Sequence, residues 1–144
     1  MISYYNDDVK LPSIKKRSTS SWIKSVAAKY QKTVDSISYI FCSDEKILEV
    51  NKQYLQHDYY TDIITFDYTE NSDIISGDIF VSIDRVKDNA KEFKVTFEEE
   101  LRRVLIHGIL HLLGYPDKKP SEERKMRQKE NEALLVYEEI DNAN

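Results

Sequence analysis

A chain of 144 residues, 40% hydrophobic and 33% charged, has the length and balance of one globular domain and excludes a disordered or fibrous chain. Its net charge of −5 argues against a uniformly basic nucleic-acid binder, and no apolar run approaches the roughly 18–20 residues that cross a bilayer. The lone cysteine, Cys42, excludes an internal disulfide and suits a reducing compartment; with no basic-then-apolar start over Met1–Asp8, the expected location is the cytoplasm.

In chain order, Met1–Tyr5 reads as a short strand. Ser18–Ser21 offer N-caps for a helix to about Tyr30, its apolar face Trp22, Ile23, Val26, Ala27 and Tyr30 at spacings of three and four. Ser36–Cys42 is β-branched and aromatic, hence a strand with Cys42 as a small buried side chain. Ser43 caps a helix to about Tyr54 that turns Ile47, Leu48, Asn51 and Leu55 inward, with Asp44 and Glu45 favouring its dipole. Asp58–Tyr60 connect it to a strand over Thr61–Tyr68, where Ile64, Phe66 and Tyr68 share a face. After a turn at Glu70–Ser72, Gly77-Asp78 lead into a third strand, Ile79–Ile83, and a helix from Asp84 to Phe93. Thr96 and Glu99 form a capping box that opens a long helix carrying Leu101, Val104, Leu105, His107 and His111. Past a break at Gly114–Pro120, a last helix runs from Ser121 to about Glu139, and Asp141–Asn144 fray. With no repeat or linker, residues 1–144 read as one α+β domain: a small mixed sheet of three to four strands with five to six helices.

The mean charge conceals an asymmetry. Val9–Val34 contains seven basic residues and no acid, whereas acids collect at Glu98–Glu100 and over 122–141. The basic stretch is either a phosphate-attracting face, with Lys15, Lys16 and Arg17 as candidate RNA contacts, or the solvated side of an amphipathic helix.

The chemistry concentrates in His107-Gly-Ile-Leu-His111-Leu-Leu-Gly114-Tyr-Pro116-Asp117. Two histidines four apart on a helix stand on one face, with Cβ atoms roughly 5–6 Å apart. Gly114 suits the left-handed residue that ends a helix, and Pro116 prevents a restart, so the chain turns and Asp117 can return to the imidazoles. Two nitrogens and a carboxylate oxygen make the three-ligand set of a catalytic metal site, which keeps a position for water. The expected cofactor is one Zn²⁺ per chain, with other divalent ions as alternatives. No side chain is assigned as catalytic; a metal-bound water is the expected reactive group.

This motif resembles the signature of the YbeY-type metal-dependent endoribonucleases. Two upstream segments resemble the same family: Asn51-x-x-Tyr54-Leu55-x-x-Asp58-x-x-Thr61-Asp62-Ile63-Ile64-Thr65-Phe66, and Gly77-Asp78-Ile79. The three motifs lie in consistent order and separation over about residues 47–135. The resemblance implies a single-strand-specific endoribonuclease of ribosomal RNA processing, including 16S 3′-end maturation and ribosome quality control. It implies ribosomal RNA and the small subunit as partners, with a ribosomal protein or a GTPase as further candidates. Two departures matter. Most members carry a third histidine where this chain has Asp117; another alignment would put Lys118, a poor ligand, in that place. Leu55 stands where many members have an arginine, leaving His57 as the nearby candidate for phosphate contact.

The segment is also similar to the zinc-protease pattern of a metzincin-like helix, except that the general-base glutamate is Gly108. Without that base proteolysis is disfavoured, since an amine leaving group must receive a proton. Three readings follow: a metal-dependent endoribonuclease, a ribosome-assembly factor with a structural metal, and an iron oxygenase using a two-histidine, one-carboxylate triad.

Overall fold

The computed structural model describes residues 1–56 and 61–143. Its element order is β1 (Ile2–Asn6), α1 (Lys16–Lys29), β2 (Thr33–Cys42), α2 (Asp44–Leu55), β3 (Ile63–Asp67), β4 (Ile74–Ser82), α3 (Ile83–Phe93), α4 (Phe97–Leu112) and α5 (Pro120–Ala143). The four strands form one sheet in the order β1-β2-β4-β3. β1 and β4 flank β2 in parallel, and β3 pairs antiparallel with β4, so the sheet is mixed and the class is α+β. The expected connector at Asp58–Tyr60 lies outside the described residues.

Several elements differ from the sequence reading for identifiable reasons. β2 starts at Thr33 rather than Ser36. Thr33 and Val34 pair with Ile74 and Ile75, but the register then shifts before Ile37 meets Gly77, and that bulge breaks the alternation that marks a strand. β4 extends back to Ile74 and takes in Gly77, so the glycine is a strand residue rather than a lead-in. On α2 the inward side is Ile47, Val50 and Asn51, while Leu55 lies 39% exposed at the helix end. Tyr68, expected to share a face with Ile64 and Phe66, falls beyond the end of β3 and is exposed.

Each sheet face has its own apolar cluster. On one face Ile37, Tyr39, Phe41, Ile75, Ile79 and Val81 pack with Trp22, Leu105, Ile106 and Ile109 from α1 and α4, and with Tyr137 from α5. On the other face Cys42, Ile47, Val50 and Ile64 meet under α2, with Phe66 and Phe80 against them. Burying each such large side chain is worth about 1.5–3 kcal/mol. The polar tips of Trp22 and Tyr39 are satisfied: Trp22 Nε1 donates to the Ala133 carbonyl at 2.7 Å and Tyr39 Oη to the Leu105 carbonyl at 2.9 Å. The first bond ties α5 to α1 and the second ties α4 to β2 of the sheet.

α4 also touches the sheet closely at its C-terminal end. A Cβ on Gly77 would stand 2.5 Å from the Phe66 carbonyl oxygen and 3.0 Å from Leu112 Cδ2. Only glycine there lets the last turn of α4 lie over β3 and β4, which sets where the two histidines emerge.

Candidate metal centre

α4 begins as its sequence dictates. Thr96 Oγ1 accepts from the Glu99 amide at 3.1 Å, and Glu98–Glu100 occupy the first turn, where carboxylates favour the helix dipole. His107 and His111 then fall one turn apart on a face that is not packed against the core. Their rings meet edge to face, with centroids 4.5 Å apart and an interplanar angle of 85°. The helix stops at a Schellman turn: Gly114 takes φ +102°, its amide donates to the His111 carbonyl at 3.0 Å, and the Tyr115 amide donates to the Leu110 carbonyl at 3.0 Å.

That turn delivers two groups to the imidazoles. The Tyr115 carbonyl accepts from His111 Nδ1–H at 2.9 Å. Two residues on, Asp117 Oδ2 stands 3.1 Å from His107 Nε2 and 3.4 Å from His111 Nε2. Asp117, not Lys118, joins the histidines, and one ligand atom from each of the three residues lies within 4.8 Å of the others. Because a carbonyl can only accept, His111 carries its proton on Nδ1 and leaves the Nε2 lone pair facing the carboxylate.

His107 is oriented by a different helix. Its Nδ1 lies 2.7 Å from Glu130 Oε2 on α5, again leaving Nε2 for the shared point. Glu130 is only 5% exposed, and its other oxygen is held by Arg103 Nη1 at 2.9 Å, with Arg127 Nη1 at 3.5 Å. Arg103 also donates through Nη2 to Asn131 Oδ1 at 2.9 Å. A buried carboxylate survives because these partners compensate its desolvation. Sequence reasoning missed Glu130 and Arg103. Arg103 lies one turn before His107 and could have been suspected, but nothing local links Glu130 to a residue 23 positions earlier.

The electrostatics follow from these contacts. Burial opposes a charge on His107, yet the hydrogen bonds to Asp117 and Glu130 prevail and raise its pKa to about 9. Burial and the neighbouring His107 depress His111. The bond to His107 holds Asp117 below the usual carboxylate range. Burial alone would raise Glu130, but His107 and Arg103 bring it below its ordinary value. Asp62, just before β3, is pushed up by burial against the pull of His107.

The donor set, two imidazole nitrogens with their proton-bearing sides turned away and one carboxylate oxygen, fits a divalent cation such as zinc. Gly108 does not face this point. A Cβ there would meet Ile63 and Ile79 at 3.0 Å, so no glutamate could serve from that position without displacing the sheet contact.

His107 and Asp117 border two clefts. One, of about 540 Å³, runs along β3 and the end of α2, past Asn51, Leu55, Thr61, Thr65 and Lys118. The other, of about 500 Å³, runs along the start of α5 past Arg124 and Arg127. The basic residues chosen from charge alone lie elsewhere. Lys15, Lys16 and Arg17 are exposed at the start of α1, with Lys15 Nζ 3.5 Å from Asp141 at the far end of α5. The structure does not bring them to the histidines, and His57 lies outside the described residues.

Comparison with known proteins identifies the family. The model of the family described as "Endoribonuclease YbeY" matches residues 2–138. A protein named endoribonuclease YbeY from Parabacteroides distasonis is 60% identical over 138 residues, covering 96% of each chain. Its namesake from Phocaeicola vulgatus is 62% identical over 136 residues, covering 94% of this chain and 98% of its own. The solution structure of TM1509 from Thermotoga maritima superimposes with a TM-score of 0.65 at 29% identity, covering 95% of this chain and 89% of that one. With site motif, fold and full-length similarity in agreement, the chain belongs to the endoribonuclease YbeY family.

Proposed function

We propose that this endoribonuclease cleaves single-stranded ribosomal RNA with one zinc-type ion held by His107, His111 and Asp117, and acts in the cytoplasm on the small ribosomal subunit, where 16S 3′-end maturation and quality control are the expected tasks. The observation that carries the reading is the convergence of two Nε2 atoms on one Asp117 oxygen, at 3.1 and 3.4 Å, with both Nδ1 atoms anchored behind them. When bound, a divalent ion supplies Lewis acidity to a phosphoryl oxygen and lowers the pKa of water. The chain's own residues do the rest. Glu130 and the Tyr115 carbonyl fix the tautomers, so no imidazole must turn before it can ligate. The carboxylate of Asp117 would place a negative charge beside the ion, reducing its acidity and making harder cations than zinc acceptable. The two clefts that meet at His107 and Asp117 offer a continuous path for a strand. Family membership favours the nuclease over the iron oxygenase.

The test is to incubate purified protein with a structured ribosomal RNA fragment, with and without chelator, beside His111→Ala. Cleavage confined to single-stranded segments and lost in both treatments is expected. Absence of any cleavage by the zinc-loaded wild type would favour an assembly role instead.

A further inference from the structure

We infer that Arg124 and Arg127, on the first turns of α5, form a phosphate subsite for the strand that leaves the cleavage point. This rests on the nuclease reading above and adds a path for the RNA beside the ligand residues. The cleft along α5 shares His107 and Asp117 with the cleft along β3, so a single strand occupying both passes over these two residues. Each cleft, at about 500 and 540 Å³, lies within the roughly 300–1,000 Å³ that small ligands fill.

The α5 cleft has cations to offer. Residues 124 and 127 stand three apart on one helix and therefore share a face. Arg124 is exposed, lines the cleft, and has no hydrogen-bond or ion-pair partner among the described residues. Arg127 approaches Glu130 Oε1 only at 3.5 Å, and Arg103 already serves that oxygen at 2.9 Å. Most of the five donors of the Arg127 guanidinium thus remain for an incoming phosphate. The acids nearby are engaged: Glu130 by His107 and Arg103, Asp117 by the two imidazoles. Among the described residues, Glu123 is the one further carboxylate lining this cleft. The basic start of α1 cannot take the same role at the same time. Lys15 pairs with Asp141, which lies roughly 26 Å along α5 from Arg124 at about 1.5 Å per residue.

The experiment uses zinc-loaded full-length protein and a fluorescein-labelled single-stranded 2′-O-methyl oligonucleotide, checked intact on a gel. Anisotropy titrations at several salt concentrations give Kd and its salt slope for wild type, Arg124→Ala, Arg124→Lys and the remote charge control Lys87→Ala. Removing one phosphate contact should weaken binding about three- to tenfold and flatten the log–log salt slope by roughly 0.7. Arg124→Lys should recover most of the slope, Lys87→Ala should match wild type, and bound zinc should be the same in all four. Wild-type affinity and slope in Arg124→Ala would overturn the subsite alone. A wild type that neither binds the oligonucleotide nor cleaves RNA would overturn the subsite together with the nuclease reading beneath it.

Discussion

The two histidines present the same atom to the same carboxylate, yet they are held by opposite means. His111 is fixed from within its own turn: the backbone that closes α4 around Gly114 supplies the Tyr115 carbonyl, 2.9 Å from Nδ1. His107 is fixed from another helix, by a Glu130 carboxylate that is itself pinned by Arg103. The difference separates local from tertiary control. A main-chain anchor cannot be deleted by substituting its residue, and it brings no charge. A carboxylate anchor can be deleted, and it raises the basicity of the ring it holds.

The largest effect lies at the group the two histidines share. Asp117→Ala removes one of three ligands, so cleavage should fall by more than the roughly 10–100-fold that outer-shell changes cost. Metal analysis of protein purified without chelator should show zinc depleted from the variant. Unchanged zinc content would remove Asp117 from the site and make the comparison of anchors one about hydrogen bonds only.

A pH scan of chelator-treated protein reads the charge that Glu130 brings. Folding raises the pKa of His107 from 6.5 to about 9, so its contribution is complete below the unfolded value and disappears as pH climbs through about 9. The loss should be on the order of 3 kcal/mol, visible as a falling Tm between pH 6.5 and 9. His111 acts with the opposite sign. Its depressed pKa makes stability rise with pH, and that gain is complete by about its unfolded value. Zinc-loaded protein should not show the alkaline loss, because ligation already requires the neutral ring.

Glu130→Gln sharpens the contrast next. It keeps the shape of the anchor but discards its charge, and zinc affinity should drop about 10–100-fold, equivalent to roughly 1.4–2.7 kcal/mol. The alkaline fall in metal-free Tm should shrink in the same variant. Full zinc affinity in Glu130→Gln would mean that the carboxylate only packs against His107.

How far the site was legible follows the same division. His107, His111, Gly114 and Asp117 lie within eleven residues, and helix periodicity plus one left-handed glycine place them together without knowledge of the rest of the fold. The sheet was legible where alternation was clean, as in β3. It was hidden at the start of β2, where the bulge before Ile37 breaks the period. Glu130 and Arg103 meet only because α5 folds back along α4, anchored in part by the bond from Trp22 to Ala133. The distance of the basic run at Lys15–Arg17 from the histidines was hidden for a related reason. Charge along the chain says which residues are cationic, but not that α5 carries the partner of Lys15 to the end opposite the histidines.

The smallest expected effect tests the local anchor. Gly114 sits at φ +102° with nothing within 4 Å of an added Cβ, so Gly114→Ala meets backbone strain but no clash. The cost should be about 1–2 kcal/mol in stability, measured by urea unfolding of metal-free protein. Its consequence for the site is specific. Relaxing φ at residue 114 moves the Tyr115 carbonyl, frees His111 Nδ1, and leaves the bond from His107 to Glu130 untouched. In imidazole NMR spectra the His111 tautomer should become mixed while His107 remains single. A variant that loosened both rings equally would show that the turn and the α5 carboxylate act as one unit, and the contrast between local and tertiary anchoring would fail.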